Sequence, residues 1–129
     1  MQQSFIVLGH GLTDLFEFKT LIAYNHQRIA RIIYFHTPKS EKLLSSVAII
    51  MNPTEGRKFQ AMYIMLNALP YPYPNTNRKY ELIQSFIEPY HIETVGIDVH
   101  PPEDYPELDL YFNYLKSVLR LQHWIPALE

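Results

Sequence analysis

The sequence predicts one domain of the α/β class (mixed α+β), with a five-stranded mixed sheet and helices packed on it. Short apolar runs that end at turn residues alternate with amphipathic segments in the order β-α-β-β-β-α-β-α. The length of 129 residues suits one domain with one sizeable core. Hydrophobic residues make up 47% of the chain, which is too apolar for disorder. We therefore expect a single domain over residues 1–129.

The chain opens with a predicted strand and helix. Residues 5–8 form an apolar run that stops at Gly9, which predicts a buried strand. Residues 12–26 predict a helix, in which Asp14 acts as N-cap and Glu17 completes a capping box. This helix would follow the strand directly.

Three predicted strands follow the first helix. They cover residues 29–35, 43–51 and 59–66. The turns between them are short, which indicates an antiparallel meander. Ser45 and Ser46 lie inside the second of these strands, and we expect them at an exposed or edge position.

A proline-rich loop follows the meander. Alternating prolines over residues 70–74 fix φ and remove donors, so they predict an extended connection. Its two tyrosines, Tyr71 and Tyr73, are candidate contacts for a protein partner, because preformed extended chain loses little entropy on binding. The alternative is a stiff connection without a binding role.

The last third of the chain predicts a helix, a strand and a second helix. The first helix covers residues 78–87, and its candidate N-caps are Asn75, Thr76 and Asn77. Residues 94–99 predict a strand. Pro106 suits the first turn of the last helix. The core-facing stripe of that helix comprises Leu108, Tyr111, Phe112, Leu115, Val118, Leu119 and Gln122.

The predicted connections bring several polar residues to one edge of the sheet. Helical connections join parallel strands and tight turns join antiparallel ones, so four of the five strands end at the same edge. Ligands of open α/β sheets bind at such carboxyl ends. The candidate site residues at this edge are His10, Asp14, Glu17, His36, Asp98 and His100.

These residues permit more than one chemistry. His10, His36 and His100 would form a metal or acid–base site, with Asp14 or Asp98 assisting, because imidazole is a common metal ligand. The alternative is that polar residues simply mark strand ends, since no His-Glu-x-x-His spacing is present. Asp98 and His100 share one face of their strand and permit a carboxylate–imidazole pair.

The turn at residues 9–11 permits two interpretations. Its Gly-His-Gly sequence before a helix is typical of an anion-binding turn, because helix N-termini attract anions. Asp14 occupies the third glycine position of the dinucleotide fingerprint, however, and a carboxylate there repels phosphate. The alternative is a tight turn that leads into a helix cap.

Composition excludes several classes of function. The net charge of −2 and the lack of a basic run argue against nucleic-acid binding. The absence of cysteine excludes disulfides, thiolate metal sites and cysteine nucleophiles. We expect no signal peptide, because a basic n-region is missing, and no membrane span, because no apolar run approaches about 20 residues. We therefore expect a cytoplasmic protein, and its ten tyrosines favour a homodimer or a protein partner.

Three short segments resemble a known family. They are residues 6–17 (Ile-Val-Leu-Gly-His-Gly-Leu-Thr-Asp-Leu-Phe-Glu), Phe35-His36-Thr37, and Leu119-Arg120-Leu121 with Ile125-Pro126. They resemble a family of small uncharacterised proteins of bacilli, about the length of this chain. Members that resemble it sometimes carry a methylthioribose kinase label. The sequence does not support that label, because it lacks a phosphate-cradling loop and a paired metal motif.

Three functions remain open at this point. The leading hypothesis is a non-enzymatic domain that binds a protein or a small ligand, with no cofactor. The first alternative is a metal-assisted hydrolase or metal-binding protein that uses the strand-end histidines and a divalent metal. The second is an inactive nuclease-like scaffold, suggested by the α-β-β-β-α-β order. Residues 43–51 and 59–66 contain no Asp, Glu or Lys, which disfavours an active nuclease of that type.

Overall fold

The computed structural model describes residues 1–36, 45–66, 68, 77–100 and 107–127. Within these ranges it contains five strands and three α-helices, in the predicted order. The strands are β1 (Gln2–Val7), β2 (Ile29–His36), β3 (Ser46–Met51), β4 (Phe59–Met65) and β5 (Thr94–Asp98). The helices are α1 (Asp14–Asn25), α2 (Arg78–Ile87) and α3 (Leu108–Leu121). The predicted class and element order are confirmed.

The five strands form one mixed sheet in the order β1-β4-β3-β2-β5. β1 pairs with β4 in parallel, and β2 pairs with β5 in parallel. β3 runs antiparallel to its two neighbours, β2 and β4. The carboxyl ends of the other four strands therefore lie at one edge of the sheet, as predicted, and we call it the carboxyl edge.

The helices cover the two faces of the sheet. Phe18 and Ile22 of α1 and Ile83 of α2 are fully buried in the cluster on one face. Leu115 and Leu119 of α3 are fully buried in the cluster on the other face. Because successive strand residues point to opposite faces, the central strand β3 supplies apolar side chains to both clusters. Among the described helices, none is long and apolar enough to cross a membrane.

The start of α1 differs from the prediction. Thr13, not Asp14, is the N-cap, and its hydroxyl accepts a hydrogen bond from the Phe16 N–H at 3.3 Å. The Asp14 carboxylate accepts from the Leu15 N–H at 2.7 Å. The Glu17 carboxylate accepts instead from N–H groups of the loop before the helix, so the predicted capping box does not form. For α2 the N-cap is Asn77, which is one of the three predicted candidates.

The placement of Ser45 and Ser46 was also predicted wrongly. Both residues are buried, because β3 lies at the centre of the sheet and not at its edge. Small side chains fit this crowded strand start, and the Ser46 side chain near the hydroxyl of Tyr111 from α3 lowers the pKa of that hydroxyl. Burial still raises the pKa of Tyr111 to about 12. The hydroxyl therefore remains protonated at neutral pH.

Other predictions lie partly outside the described residues or need adjustment. The loop over residues 70–74, with Tyr71 and Tyr73, lies outside them. Leu108, a predicted core residue of α3, is exposed, because the helix begins there and its first buried residue is Tyr111. Gln122 is exposed as well, since α3 ends one residue before it.

A buried polar network joins β1, β4 and α3. The Gln3 amide donates to Gln60 Oε1 at 3.0 Å and to the Pro126 carbonyl at 2.9 Å. Gln60 donates in turn to the Met51 carbonyl at 3.0 Å. The Arg120 guanidinium donates two hydrogen bonds to Gln3 Oε1, at 2.8 and 3.0 Å. This network fixes β1 and the C-terminal segment against the sheet.

Candidate functional site

A histidine and an aspartate form a pair at the carboxyl edge. His36 ends β2 and Asp98 ends β5, and the parallel register places them opposite each other. His36 Nδ1 lies 3.3 Å from Asp98 Oδ1. The His36 side chain is 13% exposed, whereas that of Asp98 is 68% exposed. The aspartate is therefore the partner that faces solvent, and it orients a largely covered imidazole.

The face of β5 beside this pair is open. Thr94, Gly96 and Asp98 alternate along the strand, so they share one face, and all three are exposed. A Cβ atom on Gly96 would lie 3.4 Å from His36 Cε1. The glycine thus leaves the backbone of β5 accessible directly beside the imidazole.

A cavity of about 370 Å³ lies between this face of β5 and the end of α2. Its lining residues are Tyr34, Gln84, Ile87, Glu88, His91, Ile92 and Thr94. We call this cavity, together with Gly96 and the His36–Asp98 pair, the β5 groove. Thr94 lines the cavity itself, and the exposed face of β5 continues from it past Gly96 to Asp98, about 13 Å along the strand.

The groove combines an apolar wall with convergent polar groups. Ile87 and Ile92 supply apolar surface, and Thr94 supplies a hydroxyl. Burial, with a smaller contribution from the neighbouring Tyr80, raises the pKa of Tyr34 well above its ordinary value. The Tyr34 hydroxyl therefore remains protonated and can donate a hydrogen bond.

Charge in the groove is acidic. Glu88 lies at the end near α2 and Asp98 at the carboxyl edge. The described residues that form the groove include no lysine and no arginine. Binding of phosphate groups depends on such cations or on amide groups directed at the anion. The groove therefore suits an uncharged or cationic molecule better than an anionic one.

His10 lies far from the other two candidate histidines. It follows β1, and two strands separate β1 from β2 in the sheet. At a spacing of about 4.8 Å between strands, this puts the strand ends about 14 Å apart. The structure therefore does not bring His10 to His36.

His100 lies two residues beyond Asp98, and its backbone N–H donates to the Tyr114 hydroxyl at 3.1 Å. Its side chain is exposed at the carboxyl edge. Within the part of the chain that the structure describes, no group of three His, Cys, Asp or Glu side chains is placed to hold a metal ion. The predicted trio of histidines is thus divided between the two ends of the sheet.

Asp14 forms an ion pair with Lys79, which was not among the predicted site residues. Asp14 Oδ2 lies 2.8 Å from Lys79 Nζ, and both side chains are partly buried. The pair joins the first turns of α1 and α2, which pack against each other. No local pattern relates two residues 65 positions apart, so only the packing of the two helices could show this pair.

Glu17 binds the loop between β1 and α1. Its carboxylate accepts hydrogen bonds from the N–H groups of Leu12 at 2.8 Å, Gly9 at 3.2 Å and Gly11 at 3.3 Å. These bonds, foremost that from Leu12, lower the pKa of the Glu17 carboxyl. The loop thus has the amide arrangement of an anion-binding turn, and its anion is a side chain of the same protein.

Together, the fold and the groove define a three-layer α/β domain with a candidate small-molecule site on an edge strand. The chain belongs to the family described as Domain of unknown function (DUF7147), whose family model matches residues 1–125. Neither a curated protein nor a solved structure matches the chain. The occurrence of the family in bacilli remains a prediction, and the family description does not include the kinase label.

Proposed function

We propose that this protein is a non-enzymatic binding domain that takes an uncharged or cationic small molecule in the β5 groove. The observation that carries the proposal is the cavity of about 370 Å³ between α2 and β5, where polar groups surround an apolar wall. Ligand sites are typically clefts of about 300 to 1,000 Å³ with such a lining. The cavity lies at the lower end of this range, which favours a compact ligand.

The glycine on the groove floor supports the proposal. A glycine inside a strand weakens the strand and often marks a place where a ligand approaches the backbone closely. Gly96 occupies such a position in β5, with an exposed face and with Tyr34 as its partner in β2. A larger residue there would improve the strand but fill the groove.

The geometry of the His36–Asp98 pair disfavours covalent catalysis through the hydroxyl on the same face of β5. A hydroxyl nucleophile must lie within hydrogen-bond distance of its base. Thr94, the hydroxyl residue on the same face of β5, lies about 13 Å along the strand from Asp98. The pair therefore serves to hydrogen-bond and orient a ligand, with Asp98 as its charged, solvent-facing member.

The test is a fragment screen by nuclear magnetic resonance on the ¹⁵N-labelled protein. The probes are one set of uncharged and amine-bearing fragments and one set of phosphorylated fragments. We expect the first set to shift the amide signals of Gln84, Thr94 and Gly96. The second set should leave them unchanged. Fragment binding confined to other regions, or a preference for phosphorylated fragments, would overturn the proposal.

A matched pair of variants assigns any binding to the groove. Gly96→Val adds bulk to the groove floor while it raises strand propensity, and it should abolish the shifts. Val95→Ile adds bulk to the opposite face of the same strand and should preserve them. Equal binding to both variants would also count against the proposal. Circular dichroism confirms that each variant is folded.

A further inference from the structure

We propose that the free edge of β1, with the apolar surface beside it, binds a second copy of the chain in an antiparallel arrangement. This surface, the β1 edge surface, comprises β1 and the exposed side chains of Ile6, Leu12 and Phe16. It lies at the opposite end of the sheet from the β5 groove. The two proposals can therefore be tested independently of each other.

The backbone of β1 has an open side. Gln2 donates its N–H to the Lys58 carbonyl at 3.0 Å, and Leu8 donates to the Ile64 carbonyl at 2.9 Å. Even-numbered residues of β1 thus bond to β4, and the backbone groups of Phe5 and Val7 point away from it. Among the described strands, β1 is one end of the sheet.

From Phe5 to Val7, the β1 edge lacks the features that prevent sheets from pairing. Natural edge strands are commonly protected by a lysine, a proline, a bulge or an inward-pointing charge. The Gln3 carbonyl accepts a hydrogen bond from Lys116 Nζ of α3 at 3.4 Å, so the start of the edge is covered. The sequence of β1, Gln-Gln-Ser-Phe-Ile-Val, contains no charged residue and no proline, and its register with β4 is regular. The remaining edge, from Phe5 to Val7, is suited to pairing with another strand.

Three apolar side chains next to this edge are exposed. Ile6 is 38% exposed, Phe16 is 55% exposed and Leu12 is 60% exposed. They surround an apolar cavity of about 290 Å³, which Val7, Leu8, Glu17, Thr20, Leu21 and Tyr63 complete. Exposed apolar side chains grouped around a hollow are available to pack against a partner. A two-fold interface brings the same surface of both copies together, so this apolar patch would meet itself.

A two-fold axis at Ile6 satisfies the free backbone groups. Phe5 of one copy then lies opposite Val7 of the other, and each of the two such pairs exchanges two hydrogen bonds. Ile6 faces its own copy in a close, non-hydrogen-bonded pair, so the most central exposed side chain of the strand is covered. Two sheets of five described strands become one continuous sheet.

The available area and charge fit a second copy. A six-residue strand is about 20 Å long, and three layers spaced about 10 Å apart give an end face on the order of 600 Å². Stable interfaces bury about 800 Å² per partner, so the end face with its projecting side chains approaches that size. On the α3 side of β1 lie one acidic and one basic residue, Asp109 and Lys116. This side of the end face therefore carries both signs of charge, so two copies would not bring only like charges together.

The test is the molar mass in solution, measured by sedimentation equilibrium over a range of protein concentrations. We expect the wild-type mass to approach twice that of the chain as concentration rises. Ile6→Lys, which places a charge at the centre of the edge, should reduce the mass to that of one chain. Phe16→Ser should weaken the dimer, whereas Tyr24→Ser, a change at a more exposed aromatic residue of the same helix, should not.

A second measurement locates the interface. The amides of Phe5 and Val7 should become protected from hydrogen exchange as the wild-type protein dimerises, and they should stay unprotected in Ile6→Lys. Circular dichroism shows that each variant is folded. A wild-type protein that remains monomeric at all concentrations, or a dimer that survives Ile6→Lys, would overturn the proposal.

Discussion

His36 and Asp98 end two adjacent parallel strands, and the imidazole Nδ1 of the first lies 3.3 Å from a carboxylate oxygen of the second. Their contact follows from strand register, because β2 and β5 pair residue by residue up to these two positions. Gly96 lies directly beside the imidazole and leaves the strand backbone open. The charged end of the groove and its open floor thus both follow from the pairing of β2 with β5.

Removal of the Asp98 carboxylate should weaken ligand binding without much loss of stability. The pair is largely exposed on the aspartate side, and surface ion pairs contribute about 0 to 1 kcal/mol. We expect Asp98→Ala to leave the unfolding midpoint nearly unchanged and to weaken binding of an amine-bearing fragment about tenfold, or about 1.4 kcal/mol. Titration calorimetry measures the affinity. Glu93→Ala, which removes an exposed carboxylate outside the groove, is the control, and an equal loss of affinity there would contradict the assignment.

Gly9 should not tolerate a side chain. Its φ of +103° lies in the region that disfavours residues with a Cβ atom, and an added Cβ would lie 3.4 Å from that of Asp14. We expect Gly9→Ala to lower the free energy of unfolding by about 1 to 3 kcal/mol, measured by urea denaturation. Gly11→Ala should cost clearly less, because an added Cβ there lies 3.9 Å from Glu17 Oε1. Equal losses in the two variants would show that strain at Gly9 is not the cause.

Glu17 should make the stability of the protein depend on pH in the acidic range. Hydrogen bonds from Leu12 and Gly9 lower its folded-state pKa below the ordinary value of 4.5. The unfolded state therefore binds the proton more tightly, so the contribution of Glu17 to stability is present above pH 4.5 and is lost as the pH falls through the lowered folded value.

The comparison of wild type with Glu17→Gln measures this contribution. We expect the difference in free energy of unfolding to be largest near neutral pH and to shrink progressively below pH 4.5. Glu55→Gln, a change at an exposed glutamate in the turn before β4, should show no comparable trend. A difference between wild type and Glu17→Gln that is constant with pH would contradict the carboxylate–amide interaction.

The buried glutamine network should be sensitive to the loss of one member. Gln60→Leu leaves the Met51 carbonyl and the Gln3 amide each short of one partner. An unsatisfied buried group costs about 1 to 3 kcal/mol, so we expect a loss of this size in the free energy of unfolding. The double variant Gln3→Leu/Gln60→Leu should lose less than the sum of the single variants, because each change removes a partner of the other. Strict additivity would indicate that the two amides do not interact.

Local patterns were sufficient to predict the elements and their directions. Apolar periodicity identified α3, and turn residues separated β2, β3 and β4, so the element order and the common carboxyl edge followed. Strand order depends instead on which surfaces pack over long distances along the chain. β1 pairs with β4, more than 50 residues away, and this separates His10 from His36.

Individual side-chain contacts also depend on packing between segments that are far apart in the sequence. The sequence permits a pair of Asp98 with His100, because residues two apart on a strand share a face. The structure pairs it with His36, 62 residues away in the chain, through the register of two strands. The contact of Glu17 with the loop amides depends on the turn at Gly9, where a positive φ directs the amides toward the helix. A capping box predicted from residue preferences does not reveal the φ angle at Gly9.

The affinity of the β5 groove for a fragment tests the central claim most directly. The measurement is the dissociation constant, by titration calorimetry, of the tightest uncharged or amine-bearing fragment for the wild type and for Gly96→Val. We predict that binding to Gly96→Val is at least about tenfold weaker, while the variant unfolds no more easily than the wild type. Equal dissociation constants for the two proteins would contradict the claim that the open face of β5 is the binding site.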